Sequence, residues 1–156
     1  MGETVRTLAF SSDTEKLNWL IVEGFYSSPK LVSQKLERIK LPSNIEEGEG
    51  LCSLIRTLGL LIDTQTPKQV AVLQPGKSKF QNTSFVRIKI EAALQIAATQ
   101  KNVPLHLVSP VSVSAYKKKL DKAGLSLEAV LNDGRRFSPI VMSDVICAGA
   151  IKLPHE

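Results

Sequence analysis

Aromatic residues make up only 5% of the chain, too few to build the ladder of rings on which sheet-based domains stack single-stranded bases. Cysteine is as scarce. Cys52 and Cys147 both fall within apolar helical patterns, which reads as two reduced core residues in a cytoplasmic protein rather than a disulfide framework. The two histidines stand at no zinc-site spacing with them. His106, between Leu105 and Leu107 on an expected strand, has no acid or nucleophile beside it in sequence and reads as a hydrogen-bonded structural residue. His155 lies in the tail, where order is not expected. No apolar run reaches the length that crosses a bilayer. Glu3, Arg6 and the polar run 11–16 interrupt anything resembling a secretory signal. A phosphate loop is missing too, because Gly76-Lys77-Ser78 would need a glycine where Ala71 stands.

What is present is an ordinary globular balance, 43% apolar and 22% charged. A chain of 156 residues is read as a single domain, 1–156, able to bury its own core. Val5–Phe10 and Leu17–Phe25 read as strands joined into a hairpin by the turn-rich SSDTEK. Leu31–Leu41 reads as a third strand, at an edge that tolerates charge. Pro42-Ser43-Asn44 breaks the chain, and Leu51, Leu54, Ile55, Leu58, Leu61 and Ile62 then recur at helical spacing as far as Asp63.

The stretch Gln69–Gln100 is the most informative. Val70–Leu73 is wholly apolar, as a buried parallel strand is. A polar loop with Gly76, Lys77 and Lys79 follows, then a helix Phe85–Gln100 capped by Ser84, whose apolar residues spread widely enough to predict cover on two sides. Pro104–Val108 is a further strand. The segment that begins at Ser109 or Pro110 reads as helical by Val113, carries Lys117, Lys118, Lys119 and Lys122, and stops at Gly124. Leu125–Leu131 reads as a short helix, and Ser138-Pro139 opens the last one, Ile140–Ile151. The order predicts an α/β fold with a mixed five-stranded sheet, three antiparallel strands and then two parallel ones, flanked by helices.

That order resembles the ribonuclease H-like superfamily, and within it the Holliday-junction resolvase (RuvC-like) type. LAFSSDTEKLNWLIVEG is similar to that family's first hairpin, QVAVLQPG to its fourth strand and following loop, VPLHLVSPVSVSAYKKK to its fifth strand and lysine-bearing helix, and VMSDVICAGA to its closing helix. RIKIEAALQ…VPLHLVSP also resembles a small bacterial family of unknown function. The resemblance implies acids on the first strand, the fourth strand and twice on the closing helix, holding two magnesium ions ~4 Å apart for phosphodiester hydrolysis. The matching positions here are Ser11, Leu73 (or its neighbour Gln74), Val141 and Asp144. One carboxylate stands where the family uses four. The expectation is a degenerate centre with no bound metal and no cofactor, in which Asp144 is either a relic or an early-helix acid favoured by the helix dipole. A rearranged magnesium site would have to draw on Asp13, Glu15 or Glu91, all of which otherwise read as solvated surface charges.

Positive charge is unevenly placed. Pro75–Arg136 holds eleven Lys and Arg against four Asp and Glu, a surplus of seven where the whole chain has five. Loops after parallel strands meet at one sheet edge, so Lys77, Lys79 and the run Lys117, Lys118, Lys119 are the candidate contacts to a phosphate backbone. Three readings stand open: a resolvase-like domain binding DNA or RNA without cutting it, a protein-interaction or homodimerisation module on the same scaffold, and an active metal-dependent nuclease with a rearranged acid set. No membrane partner is expected.

Overall fold

From Thr7 to Ser11 every residue of the strand Arg6–Ser12 (β1) is buried. A strand achieves that only with neighbours on both edges and a layer on each face. The computed structural model, which describes residues 4–12, 16–33, 35–75, 85–124 and 141–155, supplies them. Lys16–Phe25 (β2) runs antiparallel along one edge of β1. Gln69–Leu73 (β5) runs parallel along the other, and Leu105–Val108 (β6) lies parallel outside it. The expected buried parallel strand is therefore central.

The outer edge of β2 departs from the expectation of one strand over Leu31–Leu41. It is shared by two short strands, Ser28–Leu31 (β3) and Glu37–Lys40 (β4), so six strands fill five positions in the order β3/β4-β2-β1-β5-β6. The interruption has a local cause. The Ile21 N–H donates to the Ser33 Oγ at 2.8 Å, so a side chain serves as acceptor where a strand carbonyl would stand. Leu36 then turns inward to a buried position. Pro29, which has no N–H to give, is tolerated because β3 is an edge. A broken, charged edge of this kind discourages pairing with other chains.

Among the described residues four helices cover the sheet: Gly48–Gln65 (α1), Phe85–Gln100 (α2), Pro110–Lys122 (α3) and Val141–Ile151 (α4). The period-two alternation of the strands divides the core. Leu8, Phe10, Leu17, Ile21, Val70 and Val72 face α1 and α2, while Ala9, Leu20, Val22, Ala71 and Val108 face α3 and α4. Small residues on the second face let α4 lie close to the sheet. A Cβ added at Gly149 would stand 3.1 Å from Val22 Cγ2 and 3.3 Å from Ala9 Cβ. Ser109 caps α3, its Oγ accepting from the Ser112 N–H at 3.2 Å with Pro110 next in line.

Other expectations need correction. α2 is covered on one side only, since Phe85, Ile88 and Ile96 are exposed; its buried stripe is satisfied by the sheet and α1 alone. Cys52, expected in the core, is exposed on α1, whereas Cys147 is buried in α4 as expected; no disulfide joins them. The C-terminal segment is tied back: the Tyr26 N–H donates to the Pro154 carbonyl at 2.9 Å and the Tyr26 ring stacks on His155 at 4.4 Å. The expected helix at 125–131, the Ser84 cap and the Ser138-Pro139 helix start lie outside the described residues. Among the described residues no helix is long and apolar enough to cross a membrane.

Candidate functional site

Strands β1, β5 and β6 run in one direction and end along one edge of the sheet, the edge at which such folds place ligands. Register sets Ser11 beside Leu73 on adjacent strands. The Gln74 N–H continues the β5–β6 ladder by donating to the Val108 carbonyl at 2.8 Å, so Gln74 is held at the rim. A cleft of about 340 Å³ opens over these strand ends. Ser11, Ser12, Leu73, Gln74 and Pro75 form its floor and near rim; Arg87 enters from the first turn of α2, Val113, Ser114 and Lys117 from α3, and Asp144 from α4.

Three of the four positions picked out in sequence thus meet in one place: Ser11, Leu73 and Asp144 all line the cleft. The fourth, Val141, opens α4 three residues before Asp144. Ser11 is buried, and its Oγ accepts from Asn18 Nδ2 at 3.4 Å across the β1–β2 pair. The carboxylate of Asp144 is not a free ligand. Its Oδ1 accepts from Lys117 Nζ at 2.7 Å, with both side chains about two-fifths exposed (40% and 41%). Arg87 and Lys117 against Asp144 leave the described lining with a surplus of one positive charge.

The three-lysine run separates in space. Lys117 points into the cleft one turn beyond buried Val113, while Lys118 is exposed on another face and Lys119 lies over the Tyr26 ring at 5.7 Å from its centroid. Helical geometry explains this, since residues one and two apart do not share a face. Glu91 stays out of the cleft and lines a small recess beside it together with Arg87 and Ile90. Asp13, Glu15, Lys77 and Lys79 lie outside the described residues. Arg87 was counted among the basic residues but not placed at the site; the available signal was its position in the first turn of the helix that follows β5.

His106 belongs to the α3/α4 face, opposite Ala71 and below the strand ends, and is not among the cleft residues. Its pKa is lowered by burial first and by the Lys152 charge second. The serines of the lining therefore have no described histidine beside them to act as a base. The magnesium pair implied by the resemblance can be tested on the donors. Among the described residues no three His, Cys, Asp or Glu side chains converge, and the lining offers hydroxyls, one amide and a single carboxylate already bound to an ammonium. The described lining by itself does not supply the several carboxylate oxygens that two such ions require.

No protein-family model and no curated protein sequence matches the chain. Its structure does have neighbours, and they define a class: a ribonuclease H-like fold of the RuvC type. RuvC from Thermus thermophilus in complex with a Holliday junction substrate superposes with a TM-score of 0.71 at 15% identity, covering 94% of this chain and 91% of that one. A second structure of Thermus thermophilus RuvC gives 0.68 at 16% identity, with 94% and 92% covered. The yeast mitochondrial Holliday junction resolvase Ydc2 gives 0.57 at 17% identity, over 94% of this chain and 75% of that one. Likeness at these identities establishes the fold.

Proposed function

We propose that this chain is a cytoplasmic RuvC-like domain that binds DNA or RNA at the cleft without cleaving it. The observation that carries this reading is the Lys117–Asp144 ion pair beside Ser11 and Leu73. A cation and two uncharged side chains occupy the ground on which phosphodiester hydrolysis would need clustered acids. Support comes from the charge surplus of Pro75–Arg136 and from the fold's neighbours, one of them in complex with a Holliday junction substrate. Two cysteines outside any disulfide, one of them exposed, suit a reducing compartment.

The test is binding of the purified protein to four-way, duplex and single-stranded probes across a salt series. With three to five phosphate contacts, log affinity for duplex DNA falls against log salt with a slope of about −3 to −4.5, the same for unrelated sequences. Lys117→Glu weakens binding to every probe and flattens the slope, whereas Lys119→Glu, at a lysine resting on Tyr26, has the smaller effect. A flat curve at low salt would remove the reading.

A second reading, a homodimerisation module, is favoured by one observation. Phe85, Ile88 and Ile96 leave an apolar stripe on the outward side of α2. It expects a stable dimer in solution by light scattering, indifferent to Lys117 and lost on Ile88→Glu. The third, a nuclease recruiting Asp13 or Glu91 around magnesium, expects metal-dependent cutting that disappears on Asp144→Asn.

A further inference from the structure

We infer that the cleft takes one backbone phosphodiester directly on two side-chain cations, Lys117 and Arg87, in place of metal ions, and that Asp144 is a positioning residue that holds Lys117 there. This rests on the nucleic-acid reading above and goes beyond it in naming the group bound and the means of binding.

Geometry comes first. Lys117 Nζ lies 2.7 Å from Asp144 Oδ1, the nearest approach a cation other than a metal makes to a carboxylate. A magnesium ion on either oxygen of this carboxylate, at about 2.0–2.1 Å, would stand close to the ammonium and meet its repulsion. The carboxylate thus serves a fixed organic cation. Anchored from α4, it keeps the long, mobile lysine side chain of α3 aimed across the cleft while no ligand is bound.

Arg87 stands on α2, on the opposite side of the strand ends, and lines the same 340 Å³ space. That volume accommodates a phosphate with its attached sugar. A guanidinium presents a planar fork of donors that matches two phosphate oxygens, and an ammonium acts as a point charge. The hydroxyls of Ser11 and Ser12 on the floor add neutral donors. Charge matches as well: two cations and one carboxylate leave one positive charge, which a phosphodiester neutralises. The site assembles from α2, α3, α4 and the ends of β1 and β5, so its cations are preset by packing instead of being recruited from solution.

The experiment follows fluorescence anisotropy of a labelled duplex and a labelled four-way junction with the full chain, first in EDTA and then with magnesium at matched ionic strength. Equal affinity in the two buffers is expected. Lys117→Met and Arg87→Met each weaken binding several-fold and reduce the salt slope by about one contact, ~0.9. Lys117→Arg, which keeps the charge, retains most of the affinity, and circular dichroism with a thermal melt confirms that each variant is folded. Asp144→Asn keeps a carbonyl oxygen to accept from Lys117 and so preserves its position, but removes the negative charge that competes with phosphate, and it tightens binding a few-fold. Binding that is lost in EDTA and restored by magnesium, loss of binding on Asp144→Asn, or wild-type affinity in Lys117→Met and Arg87→Met would each overturn this inference and leave the nucleic-acid reading standing. A wild-type chain that binds neither probe at low salt removes that reading itself.

Discussion

The imidazole of His106 sits on the α3/α4 face of β6, away from the cleft, and its pKa is lowered from the ordinary 6.5 by burial and then by Lys152. A base with a depressed folded pKa favours its neutral form in the fold, so between that pKa and 6.5 the unfolded chain binds more protons. The contribution to stability is complete above 6.5 and is lost as pH falls through the folded pKa. The melting temperature should therefore drop as pH is lowered from above 6.5 through the folded pKa, and His106→Gln should flatten that drop. Parallel curves for the two proteins would show that burial of this ring is not what sets the slope. At this scale much of the site was legible. The positions that the family resemblance matched, Ser11, Leu73 and Asp144, do line one cleft. What sequence could not show is which of three adjacent lysines faces inward, since that depends on how α3 is rotated about its buried stripe of Val113, Tyr116 and Leu120.

Among the elements, two glycines in helices give opposite expectations. Gly59, buried in α1, has only the flexible end of Lys101 near a new Cβ, its Cε at 3.2 Å. Gly59→Ala should raise stability by up to about 1 kcal/mol through helix propensity and a less disordered unfolded chain. Gly149 in α4 gains the same propensity, but its Cβ meets packed Val22 and Ala9. Overpacking of ~1–3 kcal/mol outweighs the gain, so Gly149→Ala should lower stability. Chemical denaturation of both variants checks the two signs together. A stabilised Gly149→Ala would mean that α4 does not lie as close to β1 and β2 as described. The helices α1, α2 and α3 were readable because apolar residues at three- and four-residue spacing leave little choice. The split edge strand was not. Its break depends on a single side-chain acceptor, Ser33, reaching a backbone N–H twelve residues earlier, and no local pattern announces such a contact.

In the molecule as a whole, the mixed sheet brings the ends of β1 and β5 and the helices α2, α3 and α4 to one cleft, and among the described residues Arg87 and Lys117 are its basic lining. The topology was legible because hairpin strands followed by strand–helix alternation have few ways to pack. Sequence singled out Asp144 as the acid among the matched positions; that Lys117 pairs with it required the structure. The central claim is binding without cleavage at this cleft. It is tested most directly by incubating an end-labelled four-way junction with the protein in magnesium, at a concentration where a shifted complex is visible, and resolving the strands on a denaturing gel. The account predicts a retarded junction whose strands stay full length. Cut strands, produced only with metal and abolished by Asp144→Asn, would contradict it.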